Sequence, residues 1–143
     1  MQLVFVLFAF ITGMFQSGIQ PLSQDTLKQY LETGQAPYDF ILMDVRSSQE
    51  IKSAIGNGVC KPYNVEWPAQ FKDIPAQVPK DLVIIVYCQS GGRSARAAAF
   101  LSAAGYSNVY NAGAIRTWSG PTVPPSELKP LSFLPEPSMR AKK

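Results

Sequence analysis

At 143 residues and a net charge of +3, the chain can hold one small core and shows no basic run of the kind that binds nucleic acid. It contains no histidine, which excludes Cys-His pairs, Ser-His-Asp triads and nearly all zinc sites. Its two cysteines, Cys60 and Cys88, make no disulfide framework, and neither a metal nor another cofactor is expected.

In chain order, Met1 to Phe15 is an apolar run without one charged side chain. Its length suits a secretory signal, but no Lys or Arg precedes it and Gln16-Ser17-Gly18 offers no clean cleavage site. It is also shorter than the roughly 20 apolar residues of a spanning helix. Three readings of residues 1–18 stay open: a cleaved export signal, an uncleaved membrane anchor, or a segment packed on the domain or a partner. All three suggest a protein that is exported (periplasmic or extracytoplasmic) or membrane-associated through residues 1–15.

A folded domain is expected over residues 19–118. Ser23 reads as a helix N-cap, with Asp25 in the first turn, Leu22 and Leu27 as a hydrophobic staple, and Gly34 as the stop. Phe40 to Met43 is a buried strand running into Asp44-Val45-Arg46. A short helix is expected from Ser48 to Ala54, and a third strand from Val59 to Val65, near an edge because of Pro62. Trp67 to Lys80 reads as a short helix and a loop with three prolines.

Leu82 to Tyr87 is an unbroken apolar, β-branched run, the pattern of a strand buried on both faces. Cys88 and the tight loop Gln89-Ser90-Gly91-Gly92 follow. From Arg93 the period turns helical, with Ala97, Phe100, Leu101 and Ala104 on one face and Gly105 at the C-cap. A thiol at a strand end, in a Gly-rich loop that opens a helix, meets converging backbone N–H groups and the positive end of the helix dipole. That setting favours the thiolate, so Cys88 reads as a nucleophile activated by backbone amides rather than by an imidazole. A last short strand is expected at Asn108 to Asn111 and a helical turn at Gly113 to Trp118. Strands alternating with helices indicate an α/β domain with a mainly parallel sheet.

Residues 119–143 hold six prolines and no helical or strand period. This tail is expected to be extended and PPII-like, loose or laid across a surface, and open to a protein partner. Leu128, Leu131, Phe133 and Leu134 argue against a purely solvated tail.

Four ordered stretches resemble the rhodanese domain, a single-domain sulfurtransferase. They are Asp44-Val45-Arg46 with Glu50, Ala54-Ile55-Gly56-Asn57-Gly58 leading to Pro62, Tyr87-Cys88-Gln89-Ser90-Gly91-Gly92-Arg93-Ser94 with Gly105-Tyr106, and Asn111-Ala112-Gly113-Ala114 with Trp118. The second departs from the family pattern, since Ser53-Ala54 stands where the family has Gly-His and Asn57-Gly58 where it has Gly-Ala. The resemblance implies a three-layer α/β/α domain with a mainly parallel five-stranded sheet. It also implies sulfane-sulfur transfer from thiosulfate or a persulfide to a thiol or cyanide through a Cys88 persulfide. The amides of Gln89, Ser90, Gly91, Gly92, Arg93 and Ser94 would hold the anionic sulfur.

Asp44, Arg46 and Glu50 read as a structural ion pair and cap beside that site. Arg93 reads either as an anion contact or as a structural side chain, and Cys60 as buried filler or as a resolving partner for Cys88. Protein tyrosine phosphatases also use a Cys-loop-Arg cradle, but Arg93 lies five residues after Cys88, one short of their spacing. The smaller loop suits sulfur better than phosphate. A non-catalytic docking module, tethered to a membrane, is the alternative reading of the whole chain.

Overall fold

The computed structural model describes residues 19–142. The apolar run read as a signal or anchor lies outside the described residues, as does Lys143. Within the described residues, no helix is long and apolar enough to cross a membrane.

The described residues form eight strands and two α-helices in an α/β fold. The strands are β1 (Ile19–Pro21), β2 (Phe40–Asp44), β3 (Ala54–Ile55), β4 (Tyr63–Asn64), β5 (Val83–Cys88), β6 (Val109–Ala114), β7 (Thr122–Val123) and β8 (Lys129–Pro130). The helices are α1 (Gln24–Thr33) and α2 (Gly92–Ala103). The main sheet runs β1-β6-β5-β2-β4-β8 with every pairing parallel, and β3 and β7 form a separate antiparallel pair.

The centre of the sheet follows from its side chains. β2 is buried throughout, and alternate residues of β2 and β5 face opposite layers. Ile41, Met43, Ile84, Val86 and Cys88 join the core under α2, with Ala97, Ala98 and Leu101. Phe40, Leu42, Ile85 and Tyr87 join the core under α1, with Leu27 and Leu31. The parallel α/β/α architecture implied by the resemblance is therefore present, and β8 extends its sheet at one edge.

Both helices begin and end where the residues prescribe. The Ser23 hydroxyl accepts the Thr26 N–H at 3.0 Å, and Gly34 closes α1 in the left-handed region. At the end of α2 the Gly105 N–H bonds Ser102 O at 3.0 Å and the Tyr106 N–H bonds Leu101 O at 3.0 Å, a Schellman motif.

Several expectations are corrected. The helix expected over Ser48–Ala54 is a single 3₁₀ turn, Ser48–Glu50, because Ala54 and Ile55 pair with Val123 and Thr122 instead. The strand expected over Val59–Val65 shrinks to Tyr63–Asn64: Asn57 folds Val59 and Cys60 into a loop, its Oδ1 accepting both N–H groups at 2.9 and 2.8 Å. β6 runs on through Ala114, leaving only Ile115–Thr117 as the helical turn.

The tail, expected to lack regular elements, contributes β7, β8 and two 3₁₀ turns, pieces too short to leave a period in the sequence. Its later part closes the edge of β2 that the two-residue β4 leaves bare. Ser138 Oγ accepts the Leu42 N–H at 2.9 Å, and Met139 exchanges backbone hydrogen bonds with Phe40 at 3.0 and 3.2 Å. Leu131, Leu134 and Met139 are buried.

Candidate active site

Cys88 is the last residue of β5, pointing into the layer under α2, and it is 1% exposed. Between strand and helix the chain must reverse within three residues. It does so through Gly91, whose φ of +102° makes it the N-cap of α2 in a conformation that a side chain would strain. That turn aims backbone donors at the sulfur. The Gly91 N–H reaches Sγ at 3.0 Å and the Ser94 N–H at 3.4 Å, while the thiol lies 3.6 Å from Ser94 Oγ. Burial works to raise the Cys88 pKa, but the Ser94 hydroxyl and the amides of Ser94, Gly91 and Ser90 outweigh it, and the thiol lies below its ordinary range.

The loop is held from outside by two ion pairs of different kinds. Asp44 and Arg46, at the end of the neighbouring strand β2, form a buried pair: Arg46 Nη2 to Asp44 Oδ2 is 2.6 Å, and Arg46 Nε lies 2.9 and 3.1 Å from the two carboxylate oxygens. The rest of the guanidinium is also committed, Nη1 to Gln89 Oε1 at 3.1 Å and Nη2 to the Ser53 carbonyl at 2.8 Å. Arg46 thereby ties the first residue of the cysteine loop to the sheet.

Glu50 and Arg93 form the second pair, forked at 2.8 and 2.6 Å, with side chains 35% and 33% exposed. The Arg93 guanidinium, helped by the Ser47 side chain and N–H, pulls the Glu50 carboxyl down to about 2. Asp44 and Arg46 thus form the expected ion pair and Glu50 the expected cap, its carboxylate accepting from Ser47, with Arg93 as a further partner of Glu50.

The remaining loop residues divide by role. Gln89, Ser90 and Gly92 are exposed, and Gln89 is anchored by its side chain. Ser94 is buried and donates its hydroxyl to Gly91 O at 3.0 Å. Among the described residues no group of His, Cys, Asp or Glu side chains is placed to hold a metal.

Cys60 lies on the opposite side of the sheet, in the core under α1, and burial pushes its thiol up to about 12. Its position does not fit a resolving partner for Cys88.

Three supporting groups were not singled out from the sequence. Tyr87 Oη accepts the Ile55 N–H at 2.9 Å, joining β5 to the short strand β3. Asn64 Nδ2 donates to the carbonyls of Asp44 and Arg46 at 3.0 and 2.9 Å, fixing the turn that carries Arg46. The register slip between β5 and β6 sets Gly113 opposite Tyr87 and Ala114 opposite Cys88. The Tyr-Cys order in the motif is a signal for the first, and the Asn111-Ala112-Gly113-Ala114 stretch, with Gly113 at a φ of +81°, for the last; nothing in the sequence marks Asn64.

The sequence profile of the rhodanese-like domain matches residues 23–120. A sulfurtransferase of Allochromatium vinosum is 30% identical over 103 residues, spanning 71% of this chain and 89% of the relative. Among solved structures, the rhodanese-like domain of an Anabaena sp. protein is similar with a TM-score of 0.60 at 23% identity, over 73% of this chain and 78% of that one. A rhodanese-related protein of Thermoplasma volcanium gives a TM-score of 0.57 at 24% identity, over 73% of this chain and 97% of that one. These two likenesses concern the fold; the profile and the sequence relative carry the family. The chain that places Cys88 in this amide-lined turn belongs to the rhodanese-like sulfurtransferase family.

Proposed function

We propose that the protein moves sulfane sulfur from thiosulfate or a persulfide donor to a thiol or cyanide acceptor, with Cys88 as the nucleophile. The observation that carries this reading is the sulfur of Cys88 under the Gly91 and Ser94 N–H groups at 3.0 and 3.4 Å.

The Cys88 thiolate attacks the outer sulfur of thiosulfate, the S–S bond of the donor breaks, and sulfite leaves with the electron pair. The enzyme keeps a Cys88 persulfide anion, and charge balances at three negative charges on each side. As the thiolate forms, the Ser94 hydroxyl turns to donate to it, since a hydroxyl rotates to suit its partner. Gly92 and Arg93 occupy the first turn of α2, where helix N–H groups lack intrahelical acceptors; they are the donors for the outer sulfur. The acceptor thiolate or cyanide then attacks that sulfur and releases the Cys88 thiolate. Neither half-reaction needs a general base, which accords with a chain without histidine.

Incubation with thiosulfate is expected to add about 32 Da at Cys88, one sulfur atom, by intact mass. Added cyanide is expected to remove it as thiocyanate. No adduct and no thiocyanate would overturn the enzyme reading in favour of a docking module. The apolar run of residues 1–15 supports export or a membrane tether; N-terminal sequencing of the native protein tests whether it is cleaved.

A further inference from the structure

We propose that Glu50 is a specificity-determining residue: by holding Arg93 in a forked ion pair it withholds a positive charge from the mouth of the Cys88 loop, and so disfavours dianionic sulfur donors relative to monoanionic ones. The proposal rests on the sulfur-transfer reading above and concerns the charge of the donor that the site accepts.

Arg93 lies in the first turn of α2 between Gly92 and Ser94, and the Ser94 N–H touches Sγ at 3.4 Å. Of the two arginines ion-paired beside the loop it is the one that can present a cation to an incoming anion, because Arg46 is buried and already bound to Asp44, Gln89 and Ser53. Yet the Arg93 guanidinium is turned to one carboxylate, its two terminal nitrogens donating to the two Glu50 oxygens at 2.8 and 2.6 Å. The carboxylate is itself fixed, since Glu50 Oε2 also accepts from the Ser47 hydroxyl at 2.8 Å and the Ser47 N–H at 3.3 Å.

An exposed pair of this kind has little net charge at the distance of an approaching donor. What remains to attract an anion is the set of neutral amides and the helix end. Thiosulfate, with two negative charges, loses twice as much attraction as an alkyl thiosulfonate with one. The chemistry is the same for both: the outer sulfur passes to Cys88, and the leaving group is sulfite or a sulfinate.

Alkylation of Cys88 tests this without any sulfur transfer. Iodoacetate carries one negative charge and iodoacetamide none, so the ratio of their rates reads the local potential at the sulfur. Glu50→Gln, which keeps a hydrogen bond to Ser47, is expected to raise that ratio about two- to threefold, and the gain should shrink with added salt. Adding Arg93→Gln to Glu50→Gln is expected to abolish the gain. In turnover, Glu50→Gln should lower KM for thiosulfate by roughly the square of its effect on a thiosulfonate, with kcat little changed.

An unchanged alkylation ratio, a gain that survives Arg93→Gln, or a Cys88 that neither reagent reaches would overturn the proposal. Absence of turnover alongside a shifted ratio would instead overturn the sulfur-transfer reading and leave the charge effect standing.

Discussion

The two cysteines lie on opposite faces of one parallel sheet and differ in almost everything except residue type. Cys88 meets two amide donors at 3.0 and 3.4 Å and a serine hydroxyl, while Cys60 is 0% exposed in an apolar core with Leu27, Leu31 and Phe40. Burial pushes both thiols up, and only at Cys88 do donors reverse the outcome. The lowered thiol pKa therefore comes from the strand-to-helix turn and not from the residue type, and burial alone distinguishes nothing. The largest effect that sharpens this contrast is Cys88→Ser, expected to cut sulfur transfer at least about a thousandfold. Cys60→Ser is expected to leave the rate per folded molecule intact while costing about 1–3 kcal/mol of stability, because a hydroxyl enters an apolar site. Loss of transfer in Cys60→Ser at full folding would break the comparison.

Cys88 owes its cradle to the sheet behind it, and Arg46 is the link. Arg46→Ala would leave Asp44 buried at 0% exposure with its ion-pair partner gone. The expected cost is about 3–5 kcal/mol in urea unfolding. The half-exposed Glu50–Arg93 pair, though its distances are as short, is expected to contribute less than about 1 kcal/mol, since solvent screens it. Similar losses in Arg46→Ala and Glu50→Gln would overturn the distinction between clamp and surface pair.

The two thiols should also respond to pH with opposite signs. The folded Cys60 pKa, about 12, is above its ordinary 9.0, so the stability that Cys60 contributes is complete below pH 9.0 and is lost as pH rises toward 12. The folded Cys88 pKa is lowered, so its contribution is complete above 9.0 and fades as pH falls through the folded value. Denaturation midpoints measured from pH 7 to 11 should fall less steeply on the alkaline side in Cys60→Ala than in the parent chain. In Cys88→Ala the alkaline fall should be steeper. Parallel curves for all three proteins would show that the environments of the two thiols are equivalent after all.

Much of this arrangement can be read in the residues, for reasons that differ from place to place. Leu82 to Tyr87 has no polar alternation because both of its faces are covered, and Gly91 has no alternative at a φ of +102°, so strand, cysteine and helix start are all visible in one stretch. The cap at Ser23 and the stop at Gly34 are equally local. What escapes is set by distant partners. Ala54 pairs with Val123, Tyr63 with Lys129, and Phe40 with Met139, each across more than sixty residues and in runs of one or two. The pairing of Glu50 with Arg93 is of the same sort. It depends on the 3₁₀ turn at Ser48–Glu50, where a longer helix was expected.

The smallest expected effect lies in the one contact that joins the buried clamp to the loop itself. Gln89 follows Cys88 directly, its side chain is anchored to Arg46 Nη1 at 3.1 Å, and its carbonyl accepts the Arg116 N–H at 3.4 Å. Because Gln89 is exposed, water can replace its amide oxygen at the guanidinium, so Gln89→Ala should change stability by less than about 1 kcal/mol. The loop would nevertheless lose a tether at the residue next to Cys88, and the donors at Gly91 and Ser94 depend on that loop holding its shape. The expected result is a rise in the Cys88 thiol pKa, read from the pH dependence of iodoacetamide alkylation, with a loss of transfer rate of a few fold, about what one charge-assisted hydrogen bond to an exposed side chain supports. Gln89→Glu restores an acceptor for Arg46 but adds a negative charge beside the sulfur, so it should raise the thiol pKa further while keeping the loop anchored. A thiol pKa unmoved by either substitution would mean that Gly91 alone shapes the cradle and that the Arg46 clamp serves the sheet rather than the cysteine.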